Sequence, residues 1–259
     1  MLLAFKLLAT PLLIGSVTLA SRRWGPNVAG LFIGLPLTSG PISLILALNY
    51  GPEFASRAAV ASLVGEISVC IFCLAYSLTS ARHHWPASAA IGISSFLIAT
   101  ALWNQVNWSL PAAFILLLAV IWLVSRWISG TASAVATSQP PAWDLPARML
   151  VAAGFVILLT TSAQGLGPQL SGLLSPFPVF GVVLASFTHH QQGPAAAAGL
   201  LRGVVIGSLA YGGFFLMAGV CLTRLPLGWT YLLAIIAALG FSGLSFYLTR
   251  SSHSSLTAG

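Results

Sequence analysis

Residues 34–41 have the sequence Gly-Leu-Pro-Leu-Thr-Ser-Gly-Pro and lie in the middle of an apolar run, Val28–Leu48. Proline removes a backbone donor and clashes with the preceding helical turn, while glycine tolerates conformations that other residues avoid. Two of each within eight residues predict that a helix through this run is interrupted near its middle. Backbone groups freed by the interruption cannot face lipid, so they must face protein or water.

The whole chain is as apolar as this run. Of its 259 residues, 58% are hydrophobic and 5% are charged, and the mean hydropathy is +0.96. Soluble domains have about 25% charged residues, and an apolar run of about 17–25 residues can cross a bilayer. The sequence therefore predicts an all-α integral membrane protein with about nine transmembrane helices: Leu2–Ala20, Val28–Leu48, Phe54–Leu78, Pro86–Trp103, Leu110–Ile128, Arg148–Ala163, Gln169–Phe187, Ala195–Leu222 and Leu227–Leu248.

An internal repeat organises these helices. When the chain is shifted by 142 positions, ordered glycine and proline marks coincide: Gly25-Pro26 with Gly167-Pro168, Gly30-Leu31 with Gly172-Leu173, Pro36 with Pro178, and Gly51-Pro52 with Gly193-Pro194. Helices 1–4 thus match helices 6–9, and helix 5 is unmatched. Because five crossings separate equivalent points, the second copy is predicted to be inverted, as in many secondary transporters. Helix 1 also resembles a signal peptide, but its recurrence favours a membrane helix.

Five parts of the chain follow from the repeat. Residues 1–82 are predicted to hold the core of the first repeat, with helices 1–3, and residues 83–128 hold helices 4 and 5. A stretch rich in Ser, Thr, Ala and Pro, 129–146, is predicted to be a cytoplasmic linker. Residues 147–250 form the second repeat, with helices 6–9, and 251–259 form a C-terminal tail.

Helix 7 has an interruption of its own, at the position that corresponds to 34–41. It reads Ser175-Pro176-Phe177-Pro178. Paired interruptions in two inverted halves point to a binding site near the midplane of the bilayer. The predicted substrate-binding residues are therefore those beside the two breaks, together with the basic residue of helix 8: Pro36, Thr38, Ser39, Ser175, Pro176, Pro178 and Arg202. The alternative is that both breaks are structural kinks.

Two ionisable residues are predicted to lie deep in the bilayer, Glu66 in helix 3 and Arg202 in helix 8. Such groups are costly in lipid and are functional candidates for that reason. Their depths nearly coincide, so we expect them to approach each other or to share a water-filled cavity. Glu66 would then carry a coupling proton, and Arg202 would hold an anionic group or neutralise Glu66. The alternative is a static ion pair between two helices.

Basic residues set the predicted orientation. Most of them flank the helix ends on one side, and Arg57, Arg224 and Lys6 are assigned to the other. This bias predicts an N-terminus outside and a C-terminus in the cytoplasm, in a bacterial inner membrane. The residues on the predicted cytoplasmic side are Arg22, Arg23, Arg82, Arg126, Arg148 and Arg250.

Other functional classes lack a signal in the sequence. The net charge of +7 is scattered rather than clustered, which argues against nucleic acid as a partner. No nucleotide-binding loop and no Ser/His/Asp set occurs, so we expect no enzymatic activity, and no cofactor or metal site is predicted. Cys70-Ile71-Phe72-Cys73 lies in an apolar helix, which predicts buried thiols.

The leading hypothesis is a multi-pass, proton-coupled secondary transporter of a small molecule, working by alternating access around the two breaks. Neither the substrate nor the oligomeric state can be read from the sequence. The alternatives are a non-catalytic subunit or assembly factor of a membrane complex, and a lipid-type flippase. A water-accessible cavity at the breaks would favour transport, tight dry packing a structural role, and a lateral opening a flippase.

Overall fold

The computed structural model describes residues 2–128, 143–155, 157–158 and 177–254. Every regular element in these ranges is a helix, as predicted. Four helices (α4, α5, α6 and α9) are long and apolar enough to cross a membrane. The helices are α1 (Leu2–Trp24), α2 (Pro26–Ile33), α3 (Ser39–Tyr50), α4 (Pro52–Ser80), α5 (Trp85–Trp103), α6 (Leu110–Trp127), α7 (144–155), α8 (Val179–Gln192), α9 (Pro194–Cys221) and α10 (Leu227–Ser254).

The run Val28–Leu48 contains parts of two helices. Helix α2 ends at Ile33 and α3 begins at Ser39, with residues 34–38 non-helical between them. The new helix starts when the N–H of Gly40 donates to the carbonyl oxygen of Pro36, at 2.9 Å. In the second half, residues 177 and 178 are non-helical and α8 begins directly after them.

Sharp corners join the half-length helices to the long ones. Gly51 and Gly193 have φ of 88° and 89°, a region that favours glycine. A proline follows each of them as the first helical residue, where its missing N–H costs no helical hydrogen bond. The corners therefore follow from local sequence, and they fix where α4 and α9 begin.

The helix boundaries recur at the same spacing as the sequence marks. Helices α7, α9 and α10 each begin 142 residues after α1, α4 and α5, and α8 ends 142 residues after α3. Helix α6 lies between the two sets and packs against both α4 and α9.

The two central helices, α4 and α9, run in opposite directions. Near the start of α4, Ser56 Oγ donates to the carbonyl oxygen of Gly219, at the end of α9. In the middle of α4, Glu66 contacts Ser208, in the middle of α9. The partner number on α9 falls as the number on α4 rises, so the pair is antiparallel.

Contacts between chain segments define two ends of the bundle. At one, here the Asp144 end, the last residues of α1 and α8 meet the first residues of α7, and the last turns of α4 meet α8. At the other, the Gly219 end, α3 meets the start of α10 through Ser43 and Tyr231. Side chains between these ends on the outer faces of α5, α6 and α10 are large, apolar and exposed, as lipid contact requires: Ile98, Leu102, Ile115, Trp122, Ile236 and Leu239.

Helix α2 packs against α9 through glycine backbones. A Cβ atom added to Gly30 would collide with the carbonyl oxygen of Leu200, and one added to Gly34 would collide with the backbone of Gly207. Gly207 in turn faces the backbone of Leu31. Small residues at four-residue spacing allow this approach. The two helices run parallel, because the contacts advance together along both.

Candidate functional site

Glu66 is the middle residue of the 29-residue α4, and only 7% of its surface is exposed. At about 1.5 Å per residue it lies roughly 20 Å from either end of the helix. Ser208 Oγ donates to Glu66 Oε1 at 2.6 Å from the middle of α9. The two residues are 142 positions apart. The carboxyl therefore lies where the two corresponding helices cross.

Ser208 has further neighbours. Its hydroxyl also lies 3.0 Å from the carbonyl oxygen of Val204, a second acceptor for its one hydrogen, and the Cys70 thiol donates to Ser208 Oγ, at 3.9 Å. Cys70, Cys73 and Cys221 are free and buried, which confirms the reading of the cysteines. Serine thus links the carboxyl to the backbone of α9 and to the thiol one turn further along α4.

The break between α2 and α3 lies next to this crossing. Gly34 is so close to α9 that its Cβ position would be 2.7 Å from the backbone nitrogen of Ser208. After the break, Ser39 lies near the hydroxyl of Tyr211, which also faces Ser62 and interacts electrostatically with Glu66. Ser39 thus reaches Tyr211, which lies within electrostatic range of the carboxyl. We call Glu66, Ser208, Cys70, Tyr211 and Ser39 the crossing site.

The other predicted residues of the breaks have different outcomes. Pro36 and Thr38 are half-buried in the non-helical segment, and Thr38 is the residue that precedes α3. Pro178 directly precedes α8, next to Phe177, whose ring packs edge-on against Phe96. Ser175 and Pro176 lie outside the described residues.

The expected approach of Glu66 and Arg202 requires a correction. The two residues make no ion pair in the described part of the chain, and the carboxyl is bonded to Ser208 instead. Arg202 is half-buried and lies roughly 9 Å along α9 from Ser208, at about 1.5 Å per residue. Antiparallel packing brings the middles of the helices together, and Arg202 is too near the start of α9 to share that level.

The chain matches no protein-family model, no curated protein and no solved structure.

A second polar cluster, at the Asp144 end, was not predicted. Asp144 is fully buried, and its carboxylate accepts hydrogen bonds from Arg22 and Arg148, both at 2.9 Å. Gln191 donates to the same carboxylate and accepts from Arg148. The cluster joins α1, α7 and α8. Burial would raise the pKa of Asp144, but the hydrogen bonds from Arg148, Gln191 and Arg22 outweigh it and hold the pKa below its ordinary value.

The sequence contains signals for two contacts that were not predicted, that of Glu66 with Ser208 and that of α2 with α9. An offset of 142 between antiparallel helices predicts that a residue at their crossing faces its own counterpart, which assigns Ser208 to Glu66. The glycine contact of α2 with α9 is signalled by Gly30 and Gly34 and by Gly203 and Gly207, each a small-residue pair four positions apart. Asp144 was assigned to the linker because the surrounding sequence is rich in proline and alanine.

Proposed function

We propose that the chain is a proton-coupled secondary transporter of a small molecule and that Glu66 carries the coupled proton. One observation carries this proposal: a buried carboxyl in the middle of the bundle bonds to Ser208 across the α4–α9 contact, beside a helix interruption. Ionisable groups at such depth mark proton and substrate pathways. Gain or loss of the proton would change the bond between the two central helices.

Two inverted repeats in a chain of nine crossings form part of the proposal. The shared spacing of helix starts, the antiparallel α4 and α9, and the contact of positions 66 and 208 all support it. A two-fold axis in the membrane plane relates two such halves and passes through residues that face their own counterparts. Transporter sites lie on that kind of interface.

The number of hydrogens and acceptors around Ser208 favours a protonated Glu66. The hydroxyl of Ser208 has a single hydrogen but lies within bonding distance of two acceptors, Glu66 Oε1 and the carbonyl oxygen of Val204. A neutral acid resolves the conflict, because it donates to Ser208 while Ser208 donates to Val204. An ionised carboxyl without a cationic partner would also be costly at this depth.

The substrate is proposed to bind beside the breaks, near Thr38 and Ser39. Helix α3 begins there and α8 begins at the other break, so each break has a positive helix end. An anionic or strongly polar group of a small molecule suits that position. Loading would then compete with or follow protonation of the nearby carboxyl.

We also propose an orientation of the chain and the membrane in which it lies. Arg22, Arg23, Arg82 and Arg126 lie at the Asp144 end, against Arg57 and Arg224 at the Gly219 end. The positive-inside rule assigns the Asp144 end to the cytoplasm. A bacterial inner membrane is the setting that we propose.

A second candidate is a non-transporting subunit of a membrane complex. The backbone contact of Gly30 and Gly34 with α9 favours it, because packing on that side of the break is tight. In this case Glu66 and Ser208 would hold two helices together without changing their bond.

Accessibility of the break distinguishes the two candidates. The probe is Thr38→Cys in sealed proteoliposomes, labelled with a membrane-impermeant maleimide from either side under a pH gradient. The native cysteines are buried, so they contribute little labelling. Leu232→Cys, on an exposed face of α10, is the control for a lipid-facing position.

For a transporter, reversing the gradient transfers labelling of Thr38→Cys from one side to the other, and Glu66→Gln holds it on one side. The Leu232→Cys variant stays unlabelled under both gradients. Labelling of Thr38→Cys that ignores both the gradient and Glu66→Gln would overturn the proposal in favour of a structural subunit.

A further inference from the structure

Helix α4 carries a polar stripe that leads away from Glu66. Cys70, Cys73 and Tyr76 follow it at spacings of three or four residues, which places all four side chains on one helix face. Cys70, Cys73 and Tyr76 have no exposed surface. The stripe runs from the middle of the bundle to the Asp144 end.

Helix α9 has no such stripe at the corresponding positions. There Ser208 is followed by Gly212, Phe215 and Ala218. Glu66 and Tyr76 are the costly members of the stripe, because an acid and a phenol need partners inside a lipid-embedded bundle. Their restriction to one of two matched helices indicates a role that one side of the membrane needs.

The stripe ends at a histidine that reaches the surface. The hydroxyl of Tyr76 is 3.3 Å from Nδ1 of His189, and the two ring centroids are 5.9 Å apart. His189 is half-buried, and the exposed His84 and His190 are close enough to interact with its charge. A buried phenol is thereby connected to groups that exchange protons with solvent.

Several hydroxyl side chains lie at the Tyr76 end of the stripe. The hydroxyl oxygens of Ser77 and Ser88 are buried and have no hydrogen-bond partner among the described residues. Ser186 lies beside the hydroxyl of Tyr76, and Ser88 is one turn before Gly92, which packs on Tyr76. Buried hydroxyls without a protein partner are positions where an ordered water can bind.

We infer that Tyr76 and His189 form a proton relay between Glu66 and the Asp144 end. The inference rests on the proposed function, since it supplies the proton that Glu66 carries. A proton from solvent binds His189, Nδ1–H donates to the oxygen of Tyr76, and Tyr76 passes its own hydrogen onward. Water beside Cys73 and Cys70, and then the hydroxyl of Ser208, which contacts both the Cys70 thiol and Glu66, completes the transfer to Glu66. One proton enters, one is delivered, and no group is oxidised.

The thiols leave room for water along the path and do not themselves bind the proton. About 15 Å along α4 separates Glu66 from Tyr76, and Cys70 and Cys73 lie between them. Thiols are small, weak donors, so water can pass beside them where a leucine would not allow it.

The test follows Glu66 directly by its infrared carboxyl band after a rapid pH change, in purified protein in lipid vesicles. Glu66→Gln identifies the band. Tyr76→Phe and His189→Gln are expected to slow protonation of Glu66 by at least about tenfold, as loss of a positioned proton carrier does, without moving its midpoint. Tyr231→Phe, which removes a hydroxyl at the Gly219 end, is the matched control and should leave the rate unchanged.

A pair of substitutions at Cys73 makes the test independent of tyrosine packing. Cys73→Ser should keep the rate and Cys73→Leu should slow it. Unchanged rates in Tyr76→Phe, His189→Gln and Cys73→Leu would overturn the relay while Glu66 could still couple transport. Normal relay rates together with gradient-independent labelling of Thr38→Cys would overturn only the transporter. A Glu66 band that never responds to pH would overturn both.

Discussion

Helices α4 and α9 have almost the same length, begin after the same glycine corner and cross at their middles, yet their surfaces differ in chemistry. Helix α4 carries Glu66 and the polar stripe that runs from it toward the Asp144 end. Helix α9 carries glycines that admit the backbone of α2 and the ring of Phe241, which packs against Gly213. The comparison teaches that two helices of the same length and crossing can differ in surface, one with a buried acid and a buried phenol and the other with glycines that allow close packing.

The largest effect is expected from filling the packing surface of α9. Gly207→Leu places a branched side chain against the backbone of Leu31 and Gly34, which cannot move aside. Overpacking typically costs about 1–3 kcal/mol and more where backbone is hit, so we expect loss of folded protein, measured as monodisperse yield and thermal unfolding in detergent. Gly228→Ala, at a position with open space, is the control. A Gly207→Leu protein of normal stability would show that α9 is not the packing helix.

A second difference between the halves is the cluster at Asp144. At the positions 142 residues earlier, the first half has Leu2 and Lys6 in place of Asp144 and Arg148. Asp144→Asn removes the charge that two arginines share, and breaking a buried pair costs about 3 kcal/mol. Unfolding in detergent should show this loss, whereas Glu53→Gln, at an exposed acid, should have little effect.

The same cluster predicts a dependence on acid. The pKa of Asp144 is lower in the folded protein than its ordinary value of 3.8, so the unfolded chain binds the proton more readily. Its stabilisation is therefore complete above that ordinary value and is lost as the pH falls through the folded one. The stability difference between wild type and Asp144→Asn should shrink in that acid range; a constant difference would contradict the pairing.

The bond between the two helices is expected to have a smaller effect. Ser208→Ala and Glu66→Ala should each lower stability, and the double variant should lose less than the two losses added together. The expected coupling is about 1 kcal/mol, the net worth of one buried hydrogen bond. Additive losses in a double-mutant cycle would mean that the carboxyl has another partner.

The smallest effect is expected at Tyr231, which bonds to Ser43 at 2.9 Å and packs against Phe214. Its counterpart 142 residues earlier is Ala89, so this bond also exists in one half alone. Tyr231→Phe keeps the ring and should cost about 0.5–1 kcal/mol. Tyr50→Phe, at an exposed tyrosine, should cost nothing measurable.

The helix ends could be predicted from the sequence because their causes are local. Gly51-Pro52 and Gly193-Pro194 set a backbone conformation by themselves, and the prolines around residue 36 interrupt a helix wherever it lies. Contacts between helices could not be predicted in this way, because they depend on which helix crosses which and at what level. Glu66 was assigned to Arg202 by depth alone, whereas the crossing level of α4 and α9 gives it to Ser208.

Asp144 shows that local sequence can also mislead about burial. Its neighbours Trp143 and Pro146 resemble a loop, and only the tertiary contact with Arg22 and Gln191, from distant parts of the chain, makes this stretch buried. A lone acid among apolar residues is a weak sign in a soluble chain, but in this one, which has three acids, each merits a search for its partner.

At residues 34–38 the chain passes from one central helix to the other as its main packing partner. Helix α2 is anchored by glycine backbone contact to α9, and α3 packs mainly on α4. The short non-helical segment therefore connects a helix that packs on α9 to a helix that packs mainly on α4. If α4 and α9 tilt against each other, α2 travels with one and α3 with the other, and the strain falls on five residues next to the buried acid.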